Sequence, residues 1–306
     1  MRIAVMGTGG VGGYFGGRLA AAGQDVAFIA RGAHLEALQQ RGLVIRSALG
    51  DASIAPVRAR DDPAAIGPVD LVLFTVKLYD TEAAAEAIRP LIGPDTGVVT
   101  FQNGITGPEV LARKLGPEHV IGGVAKIAAV IAEPGVICHT GTMAELVFGE
   151  LDGSGSARVA PLAAALDKAG VRHTVSDDIR REIWDKMVFL STFAGLTSLL
   201  RLPIGPIRSD PDTRRLLWDG LVEALVVARA GDIDLPEDLA DGILERIDRL
   251  PYEMKSSMLQ DLEGGRRLEL AWLSGTIARM GRDLRIATPV HTLIATALKL
   301  HAEGRG

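Results

Sequence analysis

The chain has 306 residues, 47% of them hydrophobic and 23% charged, which is typical of a folded globular protein with enough material for two domains. A net charge of −5 without a basic cluster argues against a nucleic-acid partner. The single cysteine, Cys138, excludes an internal disulfide and a cysteine-rich zinc site, and it fits a cytoplasmic location.

The first half of the chain alternates short apolar runs with helical stretches. Strands are predicted over residues 2–6, 25–30, 69–76 and 97–101, and helices over residues 11–22, 33–41 and 81–91. Residues 43–60 are typical of a hairpin with its turn at 49–51, and strand-like runs follow at 120–130 and 135–147. Strands that alternate with helices predict a parallel, doubly wound sheet.

Beyond residue 177 the pattern changes to long helical segments. They cover residues 180–200, 210–230, 236–249, 268–281 and 290–303. The sequence therefore predicts an α/β domain of the Rossmann type over residues 1–178, followed by an all-helical domain over residues 179–306.

Glycines cluster where the first predicted strand ends and the first helix begins. The run GTGGVG leaves a strand and opens a helix, as a dinucleotide-binding loop requires. The first glycine permits a tight turn, the second lets a pyrophosphate approach the main chain, and the third lets helix and strand pack closely. A tight turn without a ligand is the alternative. The predicted cofactor contacts are Gly7, Thr8, Gly9, Gly10, Val11 and Gly12.

The end of the second predicted strand indicates which dinucleotide binds. An NAD site places a carboxylate there for the ribose 2′-hydroxyl, whereas this chain has Arg31. A guanidinium can form two parallel hydrogen bonds with a 2′-phosphate. Arg31 therefore favours NADP(H), the alternative being an arginine that only keeps the strand end solvated.

Two further polar positions follow predicted strands. Lys77 comes directly after the apolar strand at 69–76, and Asn103 lies in the QNG run after the strand at 97–101. Ligands of open α/β sheets bind at the carboxyl ends of strands, so both residues are candidate site residues. Taken singly, Lys77 is equally compatible with a solvated strand cap, and Asn103 with a turn.

The helical half contains three polar residues in apolar surroundings. Lys186 stands within REIWDKMVFL, and a lysine on such a helix either extends to solvent or is held for proton transfer. Farther along, the run SSMLQD includes Ser257 and precedes Glu269.

Together these motifs resemble the ketopantoate reductase (2-dehydropantoate 2-reductase) family over essentially the whole chain. The resemblance rests on the glycine run, the VK pair ending at Lys77, the QNG run at Asn103, the helix lysine Lys186 and SSMLQD. It implies a Rossmann-type domain, a helical domain, and NADPH-dependent reduction of a 2-oxo acid, with pantoate, on the route to coenzyme A, as the best-known product.

The resemblance also implies roles for single residues. Lys186 corresponds to the catalytic lysine, which stabilises the charge on the carbonyl oxygen and delivers a proton. Glu269 corresponds to the acid that holds the nicotinamide ribose and supports the lysine. Ser257 corresponds to a ligand of the substrate carboxylate, Asn103 to a contact of nicotinamide and substrate, and Ala128 to a backbone contact of the cofactor.

Three positions depart from the family pattern. Leu190, Ala194 and Met254 stand where the family typically has asparagines. A pocket without these amides predicts a substrate bulkier or less polar than ketopantoate. The alternative is that neighbouring hydroxyls, those of Ser191, Thr192 or Thr197, replace the lost hydrogen bonds.

Other functions stay open at this point. A related hydroxy-acid or opine-type dehydrogenase would share the two-domain plan, and a non-catalytic NADP-binding sensor would share the first domain. No segment approaches the roughly 18 apolar residues of a membrane span, and the six histidines show no paired metal-ligand spacing. The apolar helical half is compatible with a homodimer, because core and interface stripes look alike in sequence.

Overall fold

A computed structural model describes residues 1–155 and 158–305. Its packing divides the chain into two compact units, Met1–Glu182 and Ile183–Gly306. The domain boundary expected at 178/179 stays a prediction. In the described ranges, no helix is long and apolar enough to cross a membrane, and no three His, Cys, Asp or Glu side chains are grouped as metal ligands.

The first unit is built around one mixed sheet. The strands in the described ranges are β1 (Arg2–Met6), β2 (Asp25–Ile29), β3 (Leu43–Ser47), β4 (Ala52–Ile54), β5 (Arg58–Arg60), β6 (Leu71–Phe74), β7 (Gly97–Thr100), β8 (Val120–Glu133), β9 (Val136–Gly149) and β10 (Arg172–Val175). Their order across the sheet is β4-β3-β9-β8-β7-β6-β1-β2-β5, with β10 beside β9. From β5 to β8 all neighbours are parallel, as the alternating pattern predicts.

Helices cover both faces of this sheet. They are α1 (Gly10–Ala21), α2 (Gly32–Arg41), α3 (Thr81–Ala87), α4 (Gly107–Leu115) and α5 (Val159–Lys168). One apolar core forms between the sheet and the side of α1 and α2, and a second forms on the side of α3 and α4. Strands β6 and β7 are buried along their whole length, which explains their unbroken apolar sequence. The Rossmann-type fold expected for this half is confirmed.

The hairpin expected over residues 43–60 is only partly correct. β3 and β4 do pair in antiparallel fashion, and the Asp51 side chain accepts the Ser47 N–H at 2.8 Å across the turn. Pro56 has no N–H to continue that ladder. The chain then leaves the hairpin, and β5 joins the opposite edge of the sheet, parallel to β2, where Ala59 is fully buried.

The runs at 120–130 and 135–147 form a long antiparallel hairpin of β8 and β9. Gly135, with φ of +87°, lies in its turn. Glycine supplies the left-handed conformation that a tight connection needs, and β8 remains parallel to β7 at its beginning.

The second unit is helical, as expected. Its helices are α6 (Ile179–Leu200, which begins in the first unit), α7 (Ile204–Ser209), α8 (Pro211–Ala230), α9 (Leu239–Asp248), α10 (Ser257–Glu263), α11 (Ser274–Leu284) and α12 (Pro289–Ala297). Asp210 caps α8 by accepting the N–H groups of Asp212 and Thr213 at 3.1 and 2.9 Å. The short helix α7 has no counterpart among the predicted segments.

A buried polar cluster joins α8 to α12. The Glu223 carboxylate accepts the N–H groups of Val290 and His291 at 2.8 and 3.0 Å, so it caps the start of α12. The Nε2 atom of His291 lies 2.9 Å from the Gly220 carbonyl oxygen. Burial lowers the pKa of His291 to about 4 and raises the pKa of Glu223. His291 is therefore neutral at pH 7 and donates from Nε2.

Replacement of His291 by Gln tests this assignment through the pH dependence of stability. The unfolded chain protonates His291 near pH 6.5 and the folded chain only near pH 4, so this histidine lowers stability as pH falls between those values. We expect a loss of about 2 kcal/mol from this group on going from pH 7.5 to about pH 5, and we expect the variant to lack it. Urea unfolding of both proteins at both pH values measures the difference. Equal pH dependence in the two proteins would contradict the assignment.

Candidate functional site

The glycine loop between β1 and α1 is packed too closely for side chains at Gly7 and Gly12, next to the end of β6. Gly7 has φ of +95°, and a Cβ atom there would lie 2.8 Å from the backbone nitrogen of Val76. A Cβ atom at Gly12 would lie 2.3 Å from the Thr75 hydroxyl oxygen and 2.4 Å from the Gly7 carbonyl oxygen. The Thr75 hydroxyl donates to that same carbonyl oxygen at 2.8 Å. Both predicted roles, a tight turn and close helix packing, have a direct physical cause.

Gly9 differs from its neighbours because its Cβ position faces open space, with no atom within 4 Å. It is the N-cap of α1, so the first N–H groups of that helix point toward the same region. Open space beside the positive end of a helix fits a pyrophosphate. Gly10 is constrained for another reason: a Cβ atom there would collide with the Ala129 carbonyl group of β8.

Thr8 fastens the loop to the end of β2. Its N–H and its hydroxyl both donate to the Ile29 carbonyl oxygen, at 3.2 and 2.9 Å, and its side chain is buried. Val11, half-buried at the start of α1, packs against the core. The side chains of both residues are thus turned into the protein, so a cofactor contact there would come from the backbone.

Arg31 lies at the carboxyl end of β2, where the sequence places it. It is the N-cap of α2, and its side chain is exposed. The backbone at Ala30 donates its N–H to the Arg60 carbonyl oxygen at 3.0 Å, so the tips of β2 and β5 remain paired just before Arg31.

Lys77 and Asn103 are brought to neighbouring strand ends by a buried glutamine. The Gln102 side-chain amide donates to the Val76 carbonyl oxygen at 3.0 Å and to the Thr81 hydroxyl at 2.8 Å. Its oxygen accepts the Thr100 hydroxyl at 3.1 Å. Gln102 therefore fastens the end of β7 to the end of β6, and the half-buried Lys77 and Asn103 each come three residues after these strands end. The sequence identified the QNG run but not the structural role of its glutamine.

Ala128 lies in an irregularity of the β8–β9 ladder. Ile127 pairs with Ala144 and Ala129 pairs with His139, so Ala128 stands opposite residues 140–143 and the extra residues belong to β9. Such an irregularity leaves backbone groups outside the regular ladder. This geometry is compatible with the backbone contact that the resemblance implies.

The three candidate residues of the helical unit occupy different elements. Lys186 is half-buried on α6, with the buried Trp184, Met187 and Val188 around it in sequence. Ser257 is exposed as the first residue of α10, whereas the buried Ser256 caps that helix by accepting the Leu259 N–H at 3.0 Å.

Glu269 is buried, with 4% of its surface exposed, and it precedes the short 3-10 turn Leu270–Trp272. Its backbone carbonyl accepts the N–H groups of Trp272 and Leu273 at 3.1 and 3.2 Å. A carboxylate buried to this degree needs polar partners, which is typical of a residue with a defined task.

The sheet, the glycine loop and the helical unit define a Rossmann-type oxidoreductase with an all-helical second domain. Two family models match the chain: "Ketopantoate reductase PanE/ApbA" covers residues 3–153, and "Ketopantoate reductase PanE/ApbA C terminal" covers residues 178–302. The chain therefore belongs to the ketopantoate reductase family, which confirms the resemblance seen in the sequence.

Individual relatives agree over the full length. The 2-dehydropantoate 2-reductase of Mesorhizobium japonicum is 34% identical, with 100% of this chain and 99% of that protein covered. The uncharacterized oxidoreductase YkpB of Bacillus subtilis is 32% identical, with 98% and 99% covered. The crystal structure of a PanE/ApbA family ketopantoate reductase from Ralstonia eutropha superposes with a TM-score of 0.91 at 35% identity, covering 99% of this chain and 98% of that one.

Two glycine variants separate the packing role of the loop from its open face. Gly12→Ala places a methyl group 2.3 Å from the Thr75 hydroxyl oxygen, so we expect it to cost about 1–3 kcal/mol of stability. Gly9→Ala meets no atom within 4 Å, so we expect its stability to stay within about 0.5 kcal/mol of the wild type. Urea unfolding of both variants measures this, and equal destabilisation of the two would contradict the packing described above.

Proposed function

We propose that this enzyme reduces the carbonyl group of a 2-oxo acid to a 2-hydroxy acid with NADPH, the substrate being ketopantoate or a less polar analogue. The observation that carries the proposal is the presence of Lys186, Ser257 and Glu269, at the positions that the resemblance assigns to catalysis and substrate binding, in a chain matched by both family models.

The first unit supplies the elements expected of a cofactor site. The open face at Gly9 and the start of α1 suit a pyrophosphate, and Arg31 at the tip of β2 suits a 2′-phosphate. Lys77 and Asn103, held at adjacent strand ends, would contact the nicotinamide end, and Ala128, at the break in the β8–β9 ladder, would offer a backbone contact. When bound, the reduced nicotinamide supplies the hydride.

The helical unit supplies the groups for the substrate. Negative charge develops on the carbonyl oxygen as the hydride adds to the carbonyl carbon. The Nζ ammonium of Lys186 would stabilise that charge and then transfer a proton to the oxygen, completing the hydroxyl group. Ser257 would bind the carboxylate, and Glu269 would hold the cofactor ribose and support Lys186.

The face of α6 that carries Lys186 bears on the choice of substrate. With about 3.6 residues per turn, Leu190, Phe193 and Thr197 share the stripe of Lys186, and Ala194 borders it. Phe193 is buried and stacks on Phe189 with ring centroids 5.1 Å apart. This stripe is therefore apolar up to Thr197.

On this proposal the neighbouring hydroxyls would not replace the amides of the missing asparagines. Ser191 and Thr192 lie on other sides of α6 and are fully buried; the Ser191 hydroxyl donates within α6 to the Val188 carbonyl oxygen at 3.5 Å, and Thr192 adjoins Gly220 of α8. Thr197 does lie on the Lys186 stripe. Its hydroxyl is engaged by the Phe193 carbonyl oxygen and the Ser256 hydroxyl, each at 2.7 Å.

These contacts support an apolar side chain on the substrate. Thr197 bonds Ser256, the residue next to Ser257, so the apolar stripe extends from Lys186 toward the start of α10. An apolar surface between a proton donor and a carboxylate ligand favours an aliphatic or aromatic 2-oxo acid over the hydroxyl-bearing ketopantoate. The backbone of Met254 is hydrogen-bonded to Pro251 and Ile204, and its side chain lacks the amide group that an asparagine would provide.

Lys186→Ala tests catalysis against the alternative of a non-catalytic sensor. We expect kcat with NADPH and the best 2-oxo acid to fall about 10²–10⁴-fold, while the Kd for NADPH changes little, because the lysine acts on the carbonyl oxygen. Lys299→Ala, an exposed lysine of the same unit, is the control. If the wild type reduces a 2-oxo acid and the Lys186→Ala variant does so at the same rate, the assignment of Lys186 is contradicted. NADPH binding by wild type without oxidation by any 2-oxo acid would favour the sensor.

Leu190→Asn tests the substrate preference. In the wild type we expect a higher kcat/KM for 2-oxo acids with branched aliphatic or aromatic side chains than for ketopantoate. An amide at position 190 should shift that ratio about tenfold toward ketopantoate, since it restores a hydrogen-bonding group beside the substrate. Leu293→Asn, at a position of α12 where the leucine is 53% exposed, should leave the ratio unchanged. A wild type that prefers ketopantoate would refute the apolar-substrate proposal.

A further inference from the structure

A second arginine lies at the same sheet edge as Arg31. Arg60 is the last residue of β5, which runs parallel to β2 with Ile29 opposite Arg60. The hydrogen bond from the Ala30 N–H to the Arg60 carbonyl oxygen extends this pairing to the residue before Arg31. Neighbouring parallel strands are about 4.8 Å apart and a strand rises about 3.3 Å per residue, so the Cα atoms of Arg31 and Arg60, offset by two residues, lie about 8 Å apart, within reach of two arginine side chains that converge on one group.

The two side chains project from the same face of the sheet. Along β2 the face alternates, so Ala27, Ile29 and the extended Arg31 share one side. Ala27 and Ile29 both belong to the core beneath α3 and α4. Arg60 is in register with Ile29 and therefore lies on that side as well.

The charge of this arginine pair is not neutralised within the part of the chain that the structure describes. Both side chains are exposed, and neither forms an ion pair there; Arg60 donates only to the carbonyl oxygen of Ala59, at 2.8 Å. The carboxylates that follow are engaged by their own loop: Asp61 accepts the Asp62 N–H at 3.0 Å, and Asp62 accepts the Ala64 N–H at 2.9 Å.

His34, in the first turn of α2, adds no positive charge to this edge of the sheet. Its Nδ1 atom accepts the Gly135 N–H at 3.1 Å, and burial lowers the pKa of the ring, so it is neutral at pH 7. The glycine loop reaches this edge through Thr8, which bonds the Ile29 carbonyl oxygen. If a pyrophosphate binds in the glycine loop, a group that extends from it toward the end of β2 would therefore reach the sheet edge that carries Arg31 and Arg60.

We propose that Arg60 is a second ligand of the 2′-phosphate of NADP(H), acting together with Arg31, and that this arginine pair determines the choice of NADP(H) over NAD(H). The proposal rests on the proposed function, since it requires a dinucleotide in the glycine loop. A phosphate dianion offers three oxygens, more than one guanidinium satisfies, and two guanidinium groups can bind different oxygens of the same phosphate.

Binding measurements test the proposal without turnover. Isothermal titration calorimetry with NADP⁺, NAD⁺ and 2′,5′-ADP is applied to the full chain and to Arg60→Ala, Arg60→Lys and Arg31→Ala. Arg58→Ala is the matched control, because Arg58 lies on the same strand but pairs with Asp25 at 3.9 Å and donates to the Ile66 carbonyl oxygen. Thermal unfolding verifies that each variant is folded.

For Arg60→Ala we expect about tenfold weaker binding of NADP⁺ and 2′,5′-ADP, which corresponds to about 1.4 kcal/mol, with NAD⁺ affinity unchanged within about twofold. Arg60→Lys should recover part of the loss, and Arg58→Ala should change neither affinity. Equal weakening of NADP⁺ and NAD⁺, or no effect of Arg60→Ala, would overturn the role of Arg60 and leave the reductase function standing. A wild type that binds neither dinucleotide would overturn both.

Discussion

The site in the first unit depends on a loop held by backbone contacts that leave no room for side chains. Gly7 and Gly12 press against the end of β6, and Gly10 presses against the carbonyl group of Ala129 on β8. Thr8 joins the same loop to the end of β2. Three strands therefore fix the loop, and the start of α1 presents its N–H groups beside the open space at Gly9. Such preorganisation means that a phosphate can bind without ordering the loop at that moment.

The ends of β6 and β7 are likewise held in place by buried contacts. The Gln102 side chain uses both N–H donors and its oxygen in bonds to Val76, Thr81 and Thr100, so a buried amide rather than the loops themselves holds the strand ends that precede Lys77 and Asn103. Parallel strands end at one edge, and polar side chains that follow them are collected there by topology alone. The same topology places Arg31, just past the end of β2, and Arg60, the last residue of β5, on neighbouring strands at this edge.

Helix α6 combines two different environments on one element. Its Ser191, Thr192 and Gly195 sides pack against α8, α11 and α12, where Glu223 of α8 caps the start of α12 and the neutral His291 of α12 bonds the Gly220 carbonyl oxygen of α8. Its Lys186 stripe is apolar and ends at the hydrogen bond between Thr197 and Ser256. The Ser191 and Thr192 side chains, which sequence alone could assign to either side, are buried away from that stripe. Under the proposed function, the polarity of the substrate site would therefore depend on Leu190 and its neighbours.

The sequence by itself determined the fold class, the family and the identity of most candidate site residues. Local patterns suffice for these, because a glycine run between a strand and a helix, or an unbroken apolar strand, has few structural alternatives. Tertiary structure decided what depends on distant pairing. β5 pairs with β2 instead of completing the expected hairpin, Gln102 links the ends of β6 and β7, and the Thr197 hydroxyl of α6 bonds Ser256, the N-cap of α10. The physical reason is that hydrogen-bond partners separated by tens of residues are selected by packing, which no local pattern encodes.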